Sequence, residues 1–203
     1  MQGVENVKEY WDNRYSKQKE LTTGFIGHNA EQNEQCYQER CKFMAGYIWP
    51  YTQKKSVLDY GCGVGWYFPM LKPYENSEID PKSYIGYDIN EWAVRYCIDK
   101  HLDDVTLFNT DFVLDEPLSC EVLFTATVLQ HNTDSEVERI LTKYQDAETF
   151  ILYEFTGVTN AKHMAQRGVN GYKELVYLTS GKVLKECHTH EVHSEEHTLM
   201  IFQ

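Results

Sequence analysis

Several things are scarce in this 203-residue chain, and each scarcity excludes something. No apolar run approaches the roughly 20 residues that a membrane-spanning helix needs, so no membrane partner is expected. The N-terminal stretch MQGVENVKEYWDNRY is polar and has no apolar centre, so it does not read as a secretory leader. Basic residues are few, 19 Lys and Arg against 31 Asp and Glu, and the net charge of -12 with no dense Lys/Arg run disfavours a phosphate backbone as partner. The six cysteines, Cys36, Cys41, Cys62, Cys97, Cys120 and Cys187, include no CxxC pair. Their spacing suits neither a structural zinc site nor a disulfide framework, so they read as reduced thiols of a cytoplasmic protein. Repeats and low-complexity tracts are missing as well.

What is present is a globular composition, 42% hydrophobic and 25% charged, at a length suited to one domain with one core. We expect a single domain over residues 1–203, with a helical cap or lid in 1–50 and a core in 55–203. Val4, Val7, Trp11 and Tyr15 mark a first helix, and Tyr37, Cys41, Met44 and Ile48 a second that Pro50 should end. Between them, residues 22–29 form a glycine-flanked loop with the character of a lid. From Ser56 the period changes. Short strands are expected at 56–60, 84–87, 105–108, 121–125 and 149–154. A helix from Asn90 should bury Ala93, Val94, Cys97, Ile98 and His101, and Thr133 and Glu136 have capping-box spacing before another helix. Residues 171–179 read as one more helix. The last two β-like runs, 182–192 and 196–202, are joined too closely for a helical crossover and must be antiparallel. This order predicts an α/β fold: a doubly wound, mostly parallel sheet in a three-layer α/β/α arrangement, with an antiparallel C-terminal hairpin.

The stretch Val57-Leu58-Asp59-Tyr60-Gly61-Cys62-Gly63-Val64-Gly65 carries the chemistry. A strand runs into three alternating glycines, at the strand end where open α/β sheets bind ligands. The pattern is GxGxG rather than the dinucleotide GxGxxG, and Asp59 precedes it. An acid there repels pyrophosphate and suits an ammonium or a sulfonium. Taken alone, GxGxG is as compatible with an ordinary turn as with a ligand. Its neighbours favour the ligand. Asp88 ends the next strand, where an acid can accept from ribose hydroxyls. Asp111 and Phe112 follow the third strand, where an acid can accept from an adenine amino group and a ring can pack on the base. Asp88 as a helix cap and Phe112 as core are the structural alternatives.

These segments resemble the class I S-adenosylmethionine-dependent methyltransferases. VLDYGCGVG is similar to that family's first motif, YIGYDIN to its second, the NTDF acid to its third and LFTATVLQHNTD to its fourth-strand segment, while HTLMIFQ matches its reversed last strand. The match covers about residues 55–135 and the C-terminus. The resemblance implies a Rossmann-like fold and S-adenosylmethionine as cofactor, with S-adenosylhomocysteine as product. Gly61, Gly63 and Gly65 would then line the methionine and ribose portion, and Asp59 would face the amino end. Asp88 would hold the ribose, Ile89 would pack on adenine, Asp111 would bind its amino group, and Thr125 and its neighbours would offer carbonyls to the ammonium. The chain departs from the family where Glu121 stands in place of the usual aspartate and where the bulky Trp66-Tyr67-Phe68-Pro69 opens the helix after the loop.

For a general base, His131 is the first candidate and His28 the second, each with a structural alternative. Trp11 and Arg14 are candidates to close on the methionine end, Arg14 near its carboxylate; packing is the alternative for Trp11 and the favoured reading for Tyr15. No metal is expected. His188 and His190 share a strand face, but two histidines on an edge strand are ordinary. The chain has no Asn/Asp-Pro-Pro-aromatic segment and no Pro-Cys nucleophile, so with its acidity it points away from nucleic acid and toward a small-molecule, glycan or peptide-precursor acceptor. The alternatives are a catalytically inactive S-adenosylmethionine-binding regulatory module and, less suited to Asp59 and the terminal hairpin, a nicotinamide-dependent oxidoreductase.

Overall fold

The computed structural model describes residues 7–18, 27–71, 83–100, 106–109, 119–158, 161 and 163–203. The chain divides into two compact units, residues 8–115 and residues 116–203 with the first seven.

The first unit begins with helices α1 (Val7–Gln18) and α2 (Ala30–Thr52). A capping box starts α2: Asn29 Oδ1 accepts from the Gln32 amide at 2.9 Å, and Gln32 Oε1 accepts from the Asn29 amide at 3.0 Å. Its buried stripe, Asn33, Tyr37, Arg40, Met44 and Ile48, recurs at helical spacing. Cys41, expected in that stripe, lies beside it and is half-buried. Pro50 does not end the helix, which continues to Thr52. In a last turn, proline forfeits only its own amide bond and meets little following helix to disrupt.

Three parallel strands follow: β1 (Ser56–Tyr60), β2 (Ser83–Asp88) and β3 (Thr106–Asn109), with β2 pairing with both others. The helix after the glycine loop, α3 (Phe68–Leu71), is one turn long, with Pro69 tolerated in it. Helix α4 (Glu91–Lys100) is capped by Asn90, whose Oδ1 accepts from the Ala93 amide at 3.0 Å. It buries Ala93, Val94 and Cys97, but Ile98 is 41% exposed, contrary to the expected stripe. The buried arc of this short helix is narrower than the 100° that its apolar residues span. His101 lies outside the described residues.

In the second unit β4 (Val122–Ala126) and β5 (Thr149–Phe155) are parallel neighbours and buried along their whole length. Their unbroken apolar character is what strands covered on both faces require. Each fully buried large side chain, such as Phe124, Phe150 or Phe202, contributes about 1.5–3 kcal/mol of burial. Helix α5 (Asp134–Lys143) has the expected capping box: the Glu136 amide donates to Thr133 Oγ1, and Glu136 Oε2 accepts from the Thr133 amide at 2.7 Å. Helix α6 (Val169–Ser180) stops at Gly181, whose φ of +70° forms the left-handed cap. Strands β6 (Leu184–Val192) and β7 (Glu195–Phe202) form the antiparallel hairpin, and β7 also runs antiparallel to β5. The hairpin loop is His193-Ser194, with φ of +49° and +62°, which is the two-residue geometry that matches strand twist. The expected class is therefore what the structure shows: α/β, mostly parallel, with an antiparallel C-terminal hairpin.

Candidate functional site

The glycine loop is built as the sequence suggests. Gly61, Gly63 and Gly65 take φ of +82°, +56° and +83°, a region that costs other residues about 1–2 kcal/mol. The amides of Gly61 and Cys62 both donate to the Tyr87 carbonyl, at 2.7 and 2.9 Å, and so pin the loop to the end of β2.

Asp88 holds that end together. Its Oδ2 accepts from the Gly63 amide and its Oδ1 from the Asn90 amide, both at 2.8 Å. Neither bond was legible beforehand, and the helix cap is Asn90 instead. A carboxylate offers about four acceptor positions, so these two bonds leave acceptor capacity for hydroxyl donors. Burial pushes the Asp88 carboxyl up to about 6, against the opposing pull of the Asn90 and Gly63 amides. Ile89, half-buried, follows directly.

Asp59 lies inside the unit, 1% exposed. Its Oδ2 accepts from the Tyr84 hydroxyl at 2.7 Å, while its Oδ1 has no hydrogen-bond partner among the described residues. Burial raises this carboxyl to about 7, with the Tyr84 bond opposing and Asp88 adding to the rise. An unpartnered buried carboxylate oxygen is costly unless a donor or a cation reaches it. Cys62 and Cys97 both direct their sulfurs at the Gly63 carbonyl, at 3.8 and 3.3 Å.

Helix α1 packs against this loop. Tyr15 is buried with Val64 and Ala93, and Trp11, Trp66, Trp92 and Tyr96 pack around them. Tyr15 therefore packs, as favoured, and Trp11 shares that cluster. Arg14 donates to the Tyr10 hydroxyl at 3.1 Å and lies 5.5 Å from the Trp11 ring centroid. Asp12 accepts from Asn90 Nδ2 at 2.7 Å, tying α1 to the residue that bonds Asp88. His28 is half-buried with Nδ1 3.8 Å from Cys36 Sγ. Asp111 and Phe112 lie outside the described residues, as does the 22–26 part of the expected lid.

In the second unit His131 ends a single 3-10 turn, Leu129–His131, that follows β4. Thr127, just before it, has φ of +58°, strained for a β-branched residue. Both ends of this turn are clamped. Glu154, fully buried on β5, accepts through Oε1 from Thr125 Oγ1 (2.9 Å) and from the Val128 and Leu129 amides, and through Oε2 from the Gln130 amide. Burial lifts its carboxyl to about 7 although all four donors oppose the rise. Arg167, also buried, donates to the Leu129 carbonyl at 2.8 Å, to the Asn132 carbonyl at 2.6 Å and to Asp134 at 2.6 Å.

The clamp fixes the His131 tautomer. Its Nδ1 lies 3.1 Å from the His163 carbonyl, which can only accept, so Nδ1 carries a proton. Gln130 Oε1 accepts from the Phe155 amide at 2.9 Å, which turns Gln130 Nε2 toward His131 Nε2 at 3.4 Å. In the neutral ring Nε2 is therefore the basic nitrogen. The His163 ring stacks on it at 5.4 Å. Thr125 turns its hydroxyl to Glu154. The sequence reading missed Glu154, Gln130, Arg167 and Asn90; an acid at the end of the fifth strand was the one available signal.

The histidines of the hairpin are engaged in other ways. His188 Nε2 lies 2.9 Å from Glu186, His190 Nδ1 lies 2.9 Å from the Tyr153 hydroxyl, and His197 is buried against the Tyr153 ring. Among the described residues, no helix is long and apolar enough to cross a membrane.

No family model matches the sequence, and no curated protein does either. Solved structures do. Magnesium protoporphyrin IX methyltransferase from Synechocystis PCC 6803, crystallised with bound SAH, is 14% identical with a TM-score of 0.75, over 97% of both chains. A SAM-dependent methyltransferase of Leishmania major is 12% identical with a TM-score of 0.70, over 97% of this chain and 81% of that one. The cyclopropane synthase MmaA2 of Mycobacterium tuberculosis is 8% identical with a TM-score of 0.69, over 98% of this chain and 99% of that one. At such identities the likeness is one of fold, and the fold of this chain is the Rossmann-like α/β fold that these proteins share.

Proposed function

We propose that the chain is an S-adenosylmethionine-dependent methyltransferase of the class I type that acts on a small-molecule acceptor. One observation carries the reading: three left-handed glycines are held by Asp88 beside a buried carboxylate, Asp59, whose Oδ1 awaits a donor. A pyrophosphate would meet like charge there, whereas an ammonium, directly or through one water, would give Asp59 its missing partner. Asp88 has acceptor capacity for ribose hydroxyls, and Gly61, Gly63 and Gly65 let backbone approach the ligand closely. Ile89 and Phe112 would pack on the base and Asp111 would accept from its amino group; Trp11, Arg14 and the Thr125 carbonyl are assigned to the methionine end. The likeness to solved methyltransferases supports the same cofactor.

When bound, the cofactor supplies an activated methyl group. The chain must align a nucleophile with that methyl and take up one proton. His131 suits the second task, because its Nδ1 proton is held by the His163 carbonyl and its Nε2 lone pair remains basic. His28 is the second candidate.

The test is transfer of labelled methyl from S-adenosylmethionine to a panel of hydroxyl-, amine- and carboxylate-bearing small molecules. With an acceptor in hand, His131→Ala should lower kcat about 10²–10⁴-fold while leaving cofactor affinity unchanged. An unaltered kcat would remove His131 from the mechanism.

A further inference from the structure

Strand β6 pairs with β7 on one side and, among the described residues, has no strand on the other. Its hairpin closes on the pair Val192 and Glu195. In a two-residue hairpin the closing pair exchanges its hydrogen bonds, and the alternation then turns the backbone groups of His190, His188 and Glu186 toward β7. The amide and carbonyl groups of Cys187, Thr189 and Glu191 face outward. The side chains of those three residues and of Lys185 are exposed as well. An open edge of this length recruits another strand unless something blocks it.

Two features select the recruit. The first is the charge pattern of the edge. In an antiparallel pairing about a two-fold axis through His188, Lys185 of one copy faces Glu191 of the other, and Cys187 faces Thr189. The symmetry makes each pair twice, so the edge is complementary to itself. The bulge between Leu184 and Glu186 displaces the Lys185 backbone, but the long lysine side chain still spans to a carboxylate. The second feature is the adjoining helix. Lys173 is close enough to influence the Cys187 thiol, and one turn further along the same face of α6 Tyr177 is 60% exposed, beside Leu178 at 69%. Large apolar side chains at a strand edge are what a helix buries when two sheets join edge to edge.

We propose that this face is a docking surface for a second copy of the chain, paired antiparallel through β6 in the register that sets Lys185 against Glu191 and flanked by Tyr177 and Leu178 of the two α6 helices. The interface is isologous and closes at two subunits.

The test is sedimentation equilibrium over a concentration series, with folding of every variant checked by circular dichroism. The wild type should move by mass action from 23.8 kDa toward twice that mass. Glu191→Lys and Lys185→Glu should each raise the dimer Kd roughly tenfold, since each sets like charges opposite one another twice. The double exchange should return the Kd toward wild type. Thr189→Cys should form a reducible interchain crosslink with Cys187 under mild oxidation, because facing residues of such a pair lie at about disulfide distance. A protein monomeric at every concentration overturns the proposal. So does a dimer indifferent to both single reversals, or one that the double exchange fails to restore.

Discussion

Glu154→Gln separates what the buried carboxylate contributes by geometry from what it costs by charge. The glutamine keeps the shape, and its oxygen can retain the bonds from Thr125, Val128 and Leu129. Its amide then faces the Gln130 amide, where Oε2 was the acceptor. One lost hydrogen bond and one donor-to-donor contact cost about 1–3 kcal/mol at any pH. Charge acts in the other direction. Burial raises the Glu154 carboxyl from 4.5 to about 7. Below pH 4.5 both folded and unfolded chains are protonated there, and the residue carries no charge penalty. Between 4.5 and 7 the folded chain binds the proton more tightly, so stability falls as pH rises, and above 7 the full cost, about 3 kcal/mol, is present. The variant lacks this titration. Urea unfolding of both proteins at pH 5 and pH 8 should therefore show the wild type ahead by about 1–3 kcal/mol in acid, with the difference shrinking by about 2–3 kcal/mol at pH 8. Asp59 and Asp88 titrate in both proteins and cancel in the comparison. A difference that does not change between the two pH values would refute a raised Glu154 and, with it, the view that desolvation outweighs the four donors.

Two further outcomes follow from the geometry. Asp88→Ala removes the acceptor shared by Gly63 and Asn90 and should weaken S-adenosylmethionine binding by about 1–3 kcal/mol in a titration; unchanged affinity would remove Asp88 from the cofactor site. Arg167→Met leaves the Leu129 and Asn132 carbonyls without their buried cation and should lower unfolding stability by about 3–5 kcal/mol in denaturant; a loss under 1 kcal/mol, the level typical of surface pairs, would mean that the clamp is dispensable.

The parts legible in the sequence are those where one residue type answers one local demand. Glycines at 61, 63 and 65 announce positive φ because few other residues accept it. The Thr133 and Glu136 capping box and the too-short hairpin connection are likewise local. What stayed hidden depends on partners distant in the chain. Glu154 reads as the end of a strand until the turn after β4 is folded against it, and Arg167 reads as a loop cation until its three acceptors converge. The Asp88 bonds to Gly63 and Asn90 need β1 and β2 in register before they exist. The Pro50 and Ile98 errors have one origin: a helical pattern states which residues are apolar, whereas the end of the helix and the width of its buried arc are set by what packs on it. Asp111 and Phe112 lie outside the described residues, so their assignment rests on the resemblance alone.

Calorimetric titration of the purified chain with S-adenosylmethionine, S-adenosylhomocysteine and NADH bears most directly on the central reading. Saturable, one-to-one binding of the first two, with none of NADH, is the predicted result. Binding of NADH, or of none of the three, would contradict it and return the glycine loop to an ordinary turn.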